Sequence, residues 1–143
     1  MTILDANILL YAHNADDPRS APVHAWLTSL VSGPETIGLP WPTLWAFLRI
    51  STNARIFPKP LRADEAFEIV NRWLGTPGIV MVQPGPRHAS ILERLAIEGG
   101  AAGARFTDAV LAAIAIEQGA TLASTDRDFN RFTGLKWTDP LSA

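Results

Sequence analysis

Cysteine is absent from the 143 residues, which excludes a disulfide scaffold, a thiolate zinc centre and a cysteine nucleophile. Neither sign of charge dominates. Twelve Lys and Arg stand against fourteen Asp and Glu, a formal net charge of -2, which excludes a strongly basic nucleic-acid coat while leaving local basic surfaces open. No run approaches the ~20 apolar residues that span a bilayer. The start, Met1-Thr2-Ile3-Leu4-Asp5, has neither the basic region nor the long apolar stretch of a secretory signal, so a cytoplasmic location is expected. Internal repeats and low-complexity tracts are also lacking. The Pro and Gly clusters, such as Pro58-Lys59-Pro60 and Pro84-Gly85-Pro86, are too short to be linkers. With 48% apolar and 18% charged residues, the chain reads as one globular domain over 1–143, long enough to bury a core unaided.

Three segments read as strands: Thr2–Leu4, Ile79–Val82 and Thr121–Ser124. They are nearly continuous in apolar residues, the pattern of strands covered on both faces. Thr36–Leu39 and Leu135–Trp137 are shorter candidates. Helices are expected around Ile8-Leu9-Leu10 and over Ala21–Leu30, Pro42–Ile50, Ala63–Leu74, Arg87–Ile97 and Thr107–Gln118. The last is apolar nearly all round and is stopped by Gly119. Strands alternating with helices imply crossovers, hence an α/β fold with a mostly parallel sheet and helices on both faces. Ligands of such sheets lie beyond the carboxyl ends of the strands.

Four acids occupy positions relevant to that edge. Asp5 follows the first strand, Asp126 and Asp128 follow the strand near Ser124, and Asp108 begins the most apolar helix. Singly, each has an ordinary reading as a helix cap, a first-turn acid or a polar turn. Asp108 reaches the edge only if its helix starts there. The Arg87–Ile97 helix is expected to carry the chain away, and the Gly-rich loop over 98–106 to bring it back. Carboxylates gathered within a few Å persist as anions only around a cation. An all-oxygen donor set with no sulfur favours Mg²⁺ or Mn²⁺, ions that serve phosphodiester or phosphoryl hydrolysis. Asn7 is read equally as an orienter of this group and as a helix-start residue. Ser124 or Thr125 has a hydroxyl able to position water, or simply marks a polar strand end.

The blocks Met1-Thr2-Ile3-Leu4-Asp5-Ala6-Asn7, Phe106-Thr107-Asp108-Ala109 and Ser124-Thr125-Asp126-Arg127-Asp128-Phe129 resemble those of PIN-domain ribonucleases. The similarity is greater still to the VapC toxins of bacterial toxin–antitoxin pairs, especially the mycobacterial-type group. Leu39-Pro40-Trp41-Pro42, Phe47-Leu48-Arg49-Ile50 and Asp139-Pro140-Leu141 support it, so that the likeness covers essentially the whole chain. The resemblance implies a three-layer α/β/α sandwich, divalent-metal-dependent endoribonuclease activity, inhibition by a cognate VapB-type antitoxin and a homodimer. It assigns metal-site roles to Asp5, Asp108 and Asp126, with Asn7, Thr125 and Asp128 as auxiliary residues. One position departs: the family's usual glutamate, three residues before the arginine matching Arg49, is Ala46 here. The remaining acids and water are expected to suffice for Mg²⁺, which keeps several waters.

Arg49, Arg55, Lys59 and Arg62 form a basic stretch with no intervening acid, read either as a solvated surface or as a hold on RNA phosphates. His13, His24 and His88 have no metal-ligand spacing. Trp26, Trp41, Trp45 and Trp73 are expected in the core or an interface. Neither a nucleophile elbow nor a P-loop is present, and an aspartyl-phosphate enzyme would want a basic phosphate clamp where none is evident. The reading is a Mg²⁺- or Mn²⁺-dependent RNA hydrolase. The alternative is a degenerate, non-catalytic PIN-like module that binds RNA or a protein partner.

Overall fold

The computed structural model describes residues 1–142; Ala143, the expected C-terminal limit of the domain, lies outside the described residues. Five short strands, β1 (Thr2–Leu4), β2 (Ile37–Pro40), β3 (Ile79–Val82), β4 (Thr121–Ala123) and β5 (Lys136–Thr138), form one sheet in the order β3-β2-β1-β4-β5. Every pairing is parallel. Between the strands run α1 (Ala6–His13), α2 (Ser20–Ser32), α3 (Trp41–Ser51), α4 (Ala63–Leu74), α5 (His88–Glu98) and α6 (Arg105–Glu117), and a 3-10 helix, Arg127–Arg131, follows β4.

Successive strand residues are buried on opposite faces, which is why β1 and β4 read as apolar runs and not as alternations. Ile3 and Leu122 pack with α5 and α6, whereas Leu4 and Ala123 pack with residues of α1 to α4. The result is the expected three-layer α/β/α arrangement. The expectation of double coverage fails at β3. It is an edge strand, and Val80 is 39% exposed, so its apolar sequence serves one face and an unpaired margin. In α6, Ala109, Ala112, Ala113 and Ala115 are wholly buried; side chains this small let the helix lie close to the sheet.

The route from β3 to α6 differs from the expected one. After β3 the chain first runs back toward the far end of α6, where the Glu117 carboxylate accepts from the backbone N–H groups of Gly85 and Arg87, both at 2.8 Å. Helix α5 then returns it to the edge at which β4 ends: Gly99 O accepts from Arg131 Nη1 at 3.2 Å. The loop between α5 and α6 only reverses direction, with Gly100 and Gly103 at φ 62° and 58°, a region that glycine enters without a Cβ penalty. So α5, not the glycine loop, brings Asp108 to the site.

Glu117 therefore clamps the loop between β3 and α5. A Cβ on Gly85 would lie 2.6 Å from Glu117 Oε2, so the clamp also requires glycine at 85. These N–H groups hold the Glu117 carboxyl below its ordinary pKa of 4.5. An acid whose native pKa is lowered stabilises the fold above its unfolded pKa and loses that contribution as pH falls through the native one. Glu117→Gln is accordingly expected to melt a few degrees below the wild type near neutral pH, with the gap closing in acid. Thermal denaturation across pH measures it, and a pH-independent gap would count against the clamp.

Candidate active site

The chain adds β2 and β3 on one side of β1, then crosses to place β4 on the other. Outside the carboxyl ends of β1 and β4 lies the topological switch point, the usual ligand crevice of such sheets. Asp5 and Asp126 both stand there. Asp5 is the N-cap of α1: its Oδ1 accepts from Ala6 N at 2.7 Å. Its ordinary role as a cap and its place at the crevice thus coexist. Thr43, at the start of α3, donates to Leu4 O at 2.7 Å and fixes the end of β1 from below.

Ser124 organises the crevice. It is fully buried, and its Oγ donates to Asp5 Oδ2 at 2.7 Å. The same oxygen accepts from Asn7 Nδ2 at 3.0 Å and from Asp126 N at 3.1 Å. Asn7 Nδ2 also lies 3.2 Å from Asp5 Oδ2. One hydroxyl therefore ties the loop after β1 to the loop after β4. Thr125 contributes its backbone N–H, at 3.4 Å from Asn7 Oδ1, so of the two hydroxyl residues that the sequence offered, Ser124 and not Thr125 holds the network. The available signal was its place two residues before Asp126, at the end of a strand neighbouring β1.

Asp126 Oδ1 accepts from Asp128 N at 2.9 Å and caps the 3-10 helix. Asp108 lies in the first turn of α6. Burial, followed by the charges of Asp126, Asp5 and Asp128, pushes its carboxyl up to about 6, against a smaller lowering by Arg105. Burial also raises Asp5, aided by the Asp126 charge and opposed by the Ser124 and Ala6 hydrogen bonds. All four acids thus act on one region. Among the described residues, however, no three acidic or histidine side chains stand close enough to grip one ion together; both Asp5 oxygens and one of Asp126 are engaged in hydrogen bonds. The donor chemistry still fits a hard divalent cation. The oxygens are all carboxylate, they repel one another, and Asp108 is charged only at a cost that a cation would remove.

Two clefts border this centre. One, about 380 Å³, is lined by Trp45, Ala46, Arg49, Phe106 and Thr107 among others. Ala46 thus lines the same cleft as Thr107, the residue next to Asp108. Ala46→Glu is expected to tighten Mg²⁺ binding about tenfold, since an added carboxylate supplies a further anionic ligand; calorimetric titration with Mg²⁺ checks this, and unchanged affinity would place position 46 outside the reach of the ion. The other cleft opens at Asn7 and includes Lys59. The basic stretch is thereby divided. Arg49 lies on the first cleft and Lys59 on the second, Arg55 is an exposed turn residue, and Arg62 pairs with Asp64 at 3.1 Å.

The tryptophans divide as well. Trp26 and Trp73 pack against the core, but Trp41 and Trp45 are 37% and 61% exposed and stack on each other with centroids 6.2 Å apart. Their positions on α3 look apolar in sequence because aromatic residues mark cores and surfaces alike. His13 packs between Phe47 and Trp73.

Residues 2–135 match the family model described as PIN domain. Among curated proteins, Ribonuclease VapC33 of Mycobacterium tuberculosis is 44% identical over 141 residues, covering 99% of either chain. Ribonuclease VapC37 of the same organism is 41% identical over 140 residues, 98% of this chain and 97% of that one. Among solved structures, VapBC-1 from nontypeable Haemophilus influenzae superposes with a TM-score of 0.72 at 16% identity, covering 99% and 98% of the two chains. M. tuberculosis VapC20, described as a sarcin-ricin loop cleaving toxin, gives 0.65 at 18% identity over 95% and 99%. At such identities these structures speak for the fold.

Proposed function

The chain belongs to the PIN-domain family, among its VapC ribonucleases, and from that premise we propose that it is a Mg²⁺- or Mn²⁺-dependent endoribonuclease, the toxin of a toxin–antitoxin pair. The observation that carries this reading is the convergence of Asp5, Asp126 and Asp128 on Asp108, whose carboxyl is lifted to about 6 by burial first and by these three charges after it. Asp5, Asp108 and Asp126 are the residues that would hold the ion, which when bound supplies Lewis acidity to an RNA phosphodiester and to the water that attacks it. Ser124 and Asn7 hold Asp5 in place, and Asp126 is held through its own N–H. Thr125 and Asp128 serve as auxiliary residues beside them. Of the basic stretch, Arg49 and Lys59, one on each flanking cleft, are proposed to receive RNA phosphates on the two sides of the cut, with the exposed Arg55 and with Arg62, which pairs with Asp64, as further contacts.

The proposed protein partner is a cognate VapB-type antitoxin that blocks the acidic centre with a basic side chain, and the toxin itself is proposed to act as a homodimer in the cytoplasm. No described helix is long and apolar enough to cross a membrane. Ala46 favours the second reading, a non-catalytic module short of one carboxylate. The two are separated by incubating the chain with single-stranded RNA in Mg²⁺ or Mn²⁺ and in EDTA. Metal-dependent cutting, absent in EDTA and in Asp5→Asn, supports the nuclease. Binding without cutting in either metal overturns it.

A further inference from the structure

The cleft that opens at Asn7 is the larger of the two beside the acids, about 550 Å³, and the chemistry described so far leaves most of it unused. Its walls are α1, the turn over residues 14–19 and the loop over 56–59. Arg19 is fixed on one wall: Nε and Nη2 donate to the two carboxylate oxygens of Asp17 at 2.9 and 2.7 Å. Its Nη1 donates to Tyr11 Oη at 2.8 Å, and the guanidinium carbon lies 4.1 Å from the Tyr11 ring centroid. The guanidinium is thus a rigid plane whose orientation is set before any ligand arrives. On the other side Lys59 is presented between two prolines, Pro58 and Pro60, which stiffen the backbone that carries it. Ile56, 52% exposed, supplies an apolar surface between them.

Apart from Lys59, already assigned to a flanking phosphate, the charges lining the cleft are Asp16 and Asp17 against Arg19. They give a further phosphate no net attraction. A nucleobase suits it better, being flat, neutral and edged with donors and acceptors, because unstacked bases of single-stranded RNA bind on arginine planes and aromatic or apolar surfaces. The cleft is also continuous with the acid centre through Asn7, which lines it and bonds to Asp5. We propose that this cleft seats the nucleobase adjoining the cleaved phosphodiester, so that the 14–19 turn and the 56–59 loop select where the RNA is cut. This rests on the nuclease reading above and adds a base-selecting site to it.

The test is cleavage of a random-sequence single-stranded RNA pool in Mg²⁺, with sequencing of the cut ends, by the wild type, Arg19→Ala and Ile56→Trp. Both replaced residues lie on the surface, and the tryptophan adds bulk to the cleft from the 56–59 loop, which carries none of Asp5, Asp108, Asp126 or Asp128. The expected result is a base preference at one position beside the cut that falls about tenfold in both variants, the scale of one lost stacking contact, while cutting itself persists. A second measurement uses the Asp126→Asn chain to bind a short oligoribonucleotide and its copy with one abasic site at that position. The abasic copy is expected to bind about tenfold more weakly, a difference erased when Ile56→Trp is added. Cutting with unchanged preference in both variants overturns the proposal. So does loss of antitoxin binding with unchanged preference, which assigns the cleft to the protein partner. Abasic discrimination in a wild type that cuts no RNA in Mg²⁺ or Mn²⁺ would sink the nuclease reading and leave the cleft standing as a base-binding site.

Discussion

Asparagine in place of Asp108 is expected to have opposite effects on stability and on activity. RNA cutting should fall by about 10²–10³-fold, the usual loss when one member of a charge-stabilising site is removed. The metal-free protein should nevertheless melt at a higher temperature near neutral pH. Asp108 is raised from 3.8 to about 6 by burial and by three neighbouring carboxylates. An acid whose native pKa lies above its unfolded value binds its proton more tightly when folded. Stability then declines as pH rises between those two values and stays lower beyond them. The substituted amide carries no charge and escapes that decline. The melting difference between Asp108→Asn and wild type in EDTA should thus be largest at neutral pH and vanish below about pH 4. Saturating Mg²⁺ should raise the wild type and leave the variant little changed, because only the native wild type gains from the ion. A variant that melts at or below the wild type in EDTA at neutral pH would show that the carboxylates do not strain one another.

Ser124→Ala is expected to be the most damaging change at a position that is not itself an acid. It deletes the donor to Asp5 Oδ2 and the acceptor of both Asn7 Nδ2 and Asp126 N. Leaving buried polar groups without partners costs about 1–3 kcal/mol, visible by chemical denaturation. A second readout separates positioning from mere stability. The Ser124 hydrogen bond lowers the pKa of Asp5 against the raising effect of burial. Without it Asp5 stays protonated to higher pH, so the acid limb of the cleavage profile should move toward neutrality. A thermally weakened variant with an unmoved limb would reduce Ser124 to a packing residue.

The acid blocks were legible in the sequence because each follows a strand or opens a helix, positions that parallel topology sends to one edge. The role of Ser124 was not, because two of its three partners, Asn7 and Asp5, lie 117 and 119 residues away in the chain, and a hydroxyl at a strand end looks the same whether it meets solvent or a carboxylate. The strands were placed within a residue or so, yet β3 was misjudged. Its apolar content reveals β-structure but not which strand lies at the margin, which depends on pairing order. The chain path past α5 was inverted for a related reason. Glycines at 99, 100 and 103 announce a reversal without stating its direction, and the clamp that decides it, Glu117 on Gly85 and Arg87, is a long-range contact. The basic stretch was continuous in sequence and discontinuous in space, since Arg49 on α3 lines one cleft, Lys59 lines the other, and Arg62 turns to the acids that begin α4.

The last strand has a bearing on how the protein is handled. Ser124 N donates to Thr138 O, and the Trp137 indole N–H donates to Ser124 O at 2.9 Å, so the residue that unites the acids is propped by a strand lying beyond position 135, where the family match stops. A shortened version ending at that boundary would retain Asp5, Asp108, Asp126 and Asp128 and lose the brace behind them. Affinity tags and fusion partners are therefore better attached with a spacer after Ser142 than spliced at the domain border.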